Sequence, residues 1–290
     1  QINWMKGFAQ MKKKHLSQAI SVILSFFIMV CITVIAVSSC LAATVFRKDF
    51  FSGLMDDEYC QSVMESLTDT LKQKLSAPSN IPEEVFDNLF SFYFIKDDIK
   101  SNLNAKLVGI ESGYNNERVR EYVAEQIKSY AANNNMEISE DSLNPLVDYC
   151  MEEYDNHISF IFLDTYLSFR NVFDKAFTYI LIGFSAIAIF LTLFLFSIHK
   201  YKHRAVRFCA CSLFASSLMI VPLPLFLLIQ GGYKNLNITP EHVKLLLVEV
   251  ADQTLSGLLL TGLLAAAAGV AATLITKRMR ERAKKGQHNY

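Results

Sequence analysis

LSQAISVILSFFIMVCITVIAVSSCLAATVF, residues 16–46, carries no charged side chain in 31 positions. A bilayer core of about 30 Å needs about 20 apolar residues in helical form, so this stretch is long enough to cross a membrane, and its excess length must tilt or project beyond the lipid. The same template fits three more times, at 176–198, 208–229 and 255–276. The third of these runs holds Pro222 and Pro224 and should bend there. The fourth helix should begin before its apolar run, because Thr239 is an N-cap residue type, Pro240 suits the first helical position and Glu241 follows in the first turn.

Composition agrees with this reading. The 290 residues are 52% hydrophobic and 19% charged, against about 25% charged in ordinary soluble proteins. Formal net charge is zero, so no global excess of cations recommends a nucleic-acid partner. Locally the balance is far from zero. Residues 47–175 hold 24 acidic against 12 basic side chains, a net of −12. Three other segments are basic: Lys6 and Lys12 to Lys14 before the first run, Lys200, Lys202, Arg204 and Arg207 between the second and third, and Lys277, Arg278, Arg280, Arg282, Lys284 and Lys285 after the fourth. Positive flanks stay in the cytoplasm. The expected fold is therefore an all-α membrane protein of the plasma membrane, multi-pass, with both termini cytoplasmic. Its four transmembrane helices would carry a helical extracytoplasmic domain inserted between the first and second.

The corresponding division is an amphipathic N-terminal segment (1–15), span one (16–46), the acidic domain (47–175), span two (176–198), a basic loop (199–207), span three (208–229), an outer loop and helix start (230–254), span four (255–276) and a basic tail (277–290). In the first segment Trp4, Met5 and Phe8 fall near one side of a helix, as in an interfacial anchor. Around span one, Lys12 to Lys14, the apolar run and Val37-Ser38-Ser39-Cys40 together resemble a bacterial lipoprotein signal. Secretory apolar regions run about 7 to 15 residues, half of what is present here, so a retained helix is expected.

The acidic domain reads as helical. Cys60, Val63, Met64, Leu67, Leu71 and Leu75 recur at three-and-four spacing. A turn follows at 77–80, and a second helix capped by Asn80 should carry Val85, Phe86, Leu89, Phe90, Tyr93 and Phe94. A third holds Val119, Tyr122, Val123, Ile127 and Tyr130, and Ser139 with Ser142 marks a fourth start. From Ile158 the pattern stays apolar into span two, so one helix should run from this domain into the membrane.

Candidate sites are few. Cys60 and Cys150 share one compartment and each lies on an apolar face; a disulfide between them would close a loop of about 90 residues and add about 4 to 5 kcal/mol in the entropy model, and two buried thiols are the alternative. Phe86, Phe90, Tyr93 and Phe94, on an expected helix over 83–96, form a possible apolar contact surface for a partner or lipid. His199, His203, Cys209 and Cys211 are zinc-type donors, but four cations share their loop and oppose another. The clusters at Asp56 to Glu58, Asp97 and Asp98, and Glu152 to Asp155 lack a calcium loop and read as solvated faces. No catalytic or phosphate-cradling motif occurs. No enzyme activity, cofactor or metal is expected, and the spans carry no ionisable residue in their interiors, as a transport pathway normally would.

Span four offers a packing face. Gly257, Gly262, Ala265, Ala266 and Gly269 recur every three or four residues, which lets helix backbones approach closely in lipid. Ser21 with Ser25 and Ser212 with Ser216 supply small surfaces that could receive it; self-association through the same face is the other use.

The layout of helix, large outer domain and three further helices is similar to that of MacB- and FtsX-type ABC permeases. Those proteins carry a coupling helix between their second and third spans, and residues 199–207 are too few to form one. A non-enzymatic membrane protein whose outer domain binds a partner protein, peptide or lipid is the first expectation, and a membrane-transport component, accessory to an ABC-type complex or a small channel, is the second.

Overall fold

The computed structural model describes residues 2–47, 50–76, 82–110, 113–136, 138–159, 163–199 and 201–287, with side chains described from Ser17 to Glu281 apart from Asp164. The expected turn at 77–80, its Asn80 cap and the side-chain pattern of 1–15 lie outside these residues. Among the described residues every regular element is helical. Four helices are long and apolar enough to cross a membrane, the architecture of a multi-pass membrane protein. The chain divides into two compact units, a membrane unit (1–47, 172–233, 251–290) and a helical domain (48–171, 234–250).

The membrane unit begins with α1 (Ile2–Ala43). In the helical domain follow α2 (Phe50–Leu54), α3 (Asp57–Leu71) with a π turn at Lys72–Ser76, a 3-10 turn at Glu83–Val85, α4 (Phe92–Leu107), α5 (Asn116–Asn133) and α6 (Glu140–Ile158). Helix α7 (Leu163–Ile198) runs from the helical domain into the membrane unit, where α8 (Lys202–Ile220) and α9 (Pro222–Gln230) form the third span. A 3-10 turn at Gly232–Asn235 leads to α10 (Glu241–Gln287), which starts in the helical domain and ends in the membrane unit.

Local chemistry sets the helix starts in the helical domain. Asp56 caps α3, its Oδ1 accepting from the Tyr59 N–H at 2.9 Å, and Asp57 and Glu58 in the first turn complement the helix dipole. Asn115 caps α5 by accepting from the Glu117 and Arg118 N–H groups. The apolar stripes of α3, α4, α5 and α6 then close on one another: Cys60, Val63, Leu67, Ile95, Ile99, Val119, Val123, Val147 and Tyr154 are all fully buried in one cluster.

Two expectations are corrected here. The continuous helix expected over 83–96 is absent: a 3-10 turn ends at Val85, residues 86–91 turn and bend, and α4 begins afresh at Phe92. The break lets Phe86, Leu89 and Phe90 all enter the core, at 1%, 0% and 7% exposure, which a straight helix could not do while also burying Ile95 and Ile99. Cys60 and Cys150 are free thiols. Both are fully buried among aliphatic side chains, where each fills volume as a small hydrophobe.

In the membrane unit α1 packs along α8 through a ladder of hydroxyl groups. Ser21 Oγ lies 2.9 Å from His199 Nε2, Ser25 Oγ 2.8 Å from Ser212 Oγ, and Thr33 Oγ1 donates to Ser216 Oγ at 2.9 Å. Small side chains bring the two backbones together, and hydroxyls that lipid would leave unpaired find partners across the seam. Of the serines that could have received span four, Ser25 and Ser212 instead meet each other, Ser21 meets His199 and Ser216 meets Thr33. Leu24, Ile28, Leu195 and Ala205 close one end of the seam with apolar contacts. At Pro222 the third span bends but does not unravel, since the Val221 N–H still donates to Ser217 and the Val221 carbonyl accepts from Leu225.

Candidate functional site

The C-terminus of α5 and the N-terminus of α6 frame a concavity in the helical domain. Asn133, Asn134 and Asn135 end α5, and Asn135 takes the left-handed conformation, φ 54°, which asparagine tolerates better than most residues. The Met136 N–H then donates back to Ala131 at 2.9 Å. Ser139 opens α6 with its hydroxyl 3.0 Å from that of Ser142. Between the two helices and the π turn of α3 lies a groove of about 1150 Å³. Leu75, Ala131, Met136, Ile138, Pro145, Leu146 and Tyr149 line it, with Lys128, Ser139 and Ser142 among its polar groups. Met136 and Ile138 are 43% and 39% exposed, so two large apolar side chains stand in water at the edge of the groove.

A half-buried polar brace links one wall to the π turn. The Tyr149 hydroxyl donates to Glu153 Oε1 at 3.1 Å, and Lys74 Nζ reaches the same oxygen at 2.7 Å. Burial alone would raise the Glu153 pKa, but the bonds from Lys74 and Tyr149 outweigh it and hold the carboxylate below its ordinary range. Lys74 is raised in turn, mainly by its bond to Glu153. A second brace joins three helices: Asp98, 1% exposed, accepts from the Tyr154 hydroxyl at 2.6 Å and from Arg118 Nη2 at 2.9 Å. Burial raises the Asp98 pKa, against the pull of both donors.

Of the aromatic contact surface expected from sequence, Phe86 and Phe90 are core, with Phe90 stacked on Tyr154 at 4.9 Å. Phe94 is half-buried, edge-on to Tyr122 and covered by the Arg118 guanidinium at 4.7 Å. Tyr93 alone of the four stands out, at 79% exposure. The acidic clusters serve the fold: Asp56 caps α3, Asp57 pairs with Lys96, and Asp155 accepts from the Tyr114 hydroxyl. Among the described residues no three His, Cys, Asp or Glu side chains gather as metal ligands do. His199 stacks on Phe208 and Cys211 is exposed, so the loop donors are not brought together.

The small face of α10 meets its own chain. A Cβ on Gly257 would lie 2.8 Å from Thr44 Cγ2 and 3.1 Å from Cys40 Sγ; one on Gly262 would lie 2.5 Å from Val221 Cγ2, and one on Gly269 3.2 Å from the Phe214 ring. Ala265 and Ala266 are half-buried between them. The groove itself was not visible in the sequence, because its walls come from three helices; the asparagine run with Met136 and Ile138 beyond it was the available signal.

No family model matches this chain, and no curated protein and no solved structure is significantly similar to it.

Proposed function

We propose that this chain is a non-enzymatic plasma-membrane protein whose acidic helical domain lies outside the cytoplasm and receives an apolar segment of a partner protein in the groove between α5 and α6. The exposed Met136 and Ile138, at a groove whose α6 wall is braced, carry the reading: large apolar groups kept in water mark an interaction surface, and methionine adapts to a partner's shape. The basic segments beside every apolar run support the sidedness. A concavity of about 1150 Å³ slightly exceeds the usual range for small ligands, about 300 to 1,000 Å³, and suits a peptide segment.

A photo-crosslinking amino acid at Ser142 tests it. A discrete adduct in intact cells that disappears when Met136→Asp or Ile138→Asp is added, while a probe at the exposed Lys100 gives none, supports the reading. Adducts indifferent to both charges overturn it. A membrane-transport component is the second reading, resting on the bend that divides the third span into α8 and α9 within a four-helix membrane unit. A tightly bound ATPase in a mild-detergent purification would support it.

A further inference from the structure

Helix α10 is shared by the two units: its first turns, to Val250, pack in the helical domain, and the rest belongs to the membrane unit. What holds those first turns is unusual. His242 is 6% exposed, and its Nδ1 is buried without a hydrogen-bond partner. A buried polar atom left unpaired costs about 1 to 3 kcal/mol, so its retention asks for a reason.

The surroundings of the ring supply one. From α6, His157 stands 5.7 Å away between ring centroids; from α3, Tyr59 meets it edge-on at 6.3 Å. His157 Nδ1 must donate to the Glu153 carbonyl oxygen, 2.8 Å away, since a carbonyl only accepts. Its Nε2 faces Thr70 Oγ1 at 3.4 Å, whose proton already goes to Ser66. The nearby carboxylates do not complement an added charge at Nδ1. Glu153 is occupied by Lys74 and Tyr149. Asp56, Glu58 and Glu249 line a separate small cavity beside Tyr59. Glu241 and Lys244 flank His242 on its own helix with opposite signs. A proton on His242 would therefore sit buried and unpaired, beside a second imidazole.

We propose that His242 and His157 form an acid-released latch, which docks the start of α10 on the helical domain at neutral pH and frees it as the surroundings acidify. The linkage follows from the two states. Released into water, His242 titrates near its ordinary value of about 6.5; docked, it excludes the proton. Docking strength is thus at its full value above that pH and declines as pH falls, by up to tenfold per pH unit for one imidazole. Leu246, packed against the domain core, supplies apolar docking that does not titrate, so release is local. Because α10 continues into the membrane unit, the latch biases an element common to both units. That the acid is extracellular rests on the proposed sidedness; the latch itself does not.

The test is hydrogen exchange on the full chain in nanodiscs, with chelator present and rates corrected for the intrinsic effect of pH. Amides of residues 243–250 should lose about tenfold protection between pH 7.5 and 5.5, while those of 60–71 keep theirs. His242→Phe, which fills the site and cannot titrate, should abolish the pH dependence. Equal protection of 243–250 at both pH values in the parent overturns the latch whatever the variant does, and so does a loss of protection that persists in His242→Phe. Sidedness is read separately by labelling in cells, so its failure would leave this result standing.

Discussion

Ser25 and Ser212 hold their hydroxyl oxygens 2.8 Å apart across the α1–α8 seam, and Ser212 Oγ also lies 2.8 Å from the Ser25 carbonyl oxygen. Ser212 is 1% exposed, so nothing larger fits without parting the helices. Ser212→Leu should destabilise the protein in detergent by about 1 to 3 kcal/mol through overpacking. Ser212→Ala should cost only about 0.6 kcal/mol, the typical value of one interhelical hydrogen bond in lipid. Equal melting of the two variants would show that the seam is loose.

Gly262→Leu and Gly269→Leu force bulk against Val221 and the Phe214 ring, and each should lower the melting temperature. Leu260→Ala, on a side chain 60% exposed, should lower it less. Thermal melts in one detergent rank the three, and wild-type melting of both glycine variants would place this face in lipid.

Removing Asp98 strands the buried Tyr154 hydroxyl and releases Arg118. Asp98→Ala should cost about 1 to 3 kcal/mol by denaturant titration, as leaving a buried hydroxyl unpaired does, and Tyr154→Phe about 1 kcal/mol. Because burial raises the Asp98 pKa in the fold, the native state binds its proton more tightly than the unfolded chain does. The stabilisation from that proton is present at low pH and is lost as pH rises through the folded value. Asp98→Ala should remove this component of the pH profile.

Non-reducing peptide mapping should recover Cys60 and Cys150 as two thiols. Burial pushes the Cys150 thiol up to about 12 and raises that of Cys60, so neither should react with a maleimide at pH 8 until the domain is unfolded. Labelling of either in the native protein would contradict the packing of α3 on α6.

For sidedness, a cysteine at the exposed Ser129 should react with an impermeant maleimide in intact cells, and one at Gln287 should react only after lysis. The reverse pattern would invert the topology and the proposed function with it.

Whatever depended on near neighbours along the chain was legible before any coordinates. A charge-free run of 31 residues has to form a helix in lipid, because backbone groups there have no water to bond. The three-and-four spacing of Cys60, Val63, Leu67 and Leu71 likewise names the buried face of α3. Span four could be read as small-faced for the same reason, although its neighbours could not. Where identical spacing permits two outcomes, only tertiary structure decided. Val85 to Phe94 repeats like one amphipathic helix, yet the core is filled better by a turn that sends Phe86, Leu89 and Phe90 inward and leaves Tyr93 outside. Ser25 finds Ser212 across 187 positions and His157 finds His242 across 85, and neither serine nor histidine carries a mark of its partner. Such pairings are settled by which surfaces close-pack once every helix must bury its face at the same time, a condition on the whole chain that no local stretch contains.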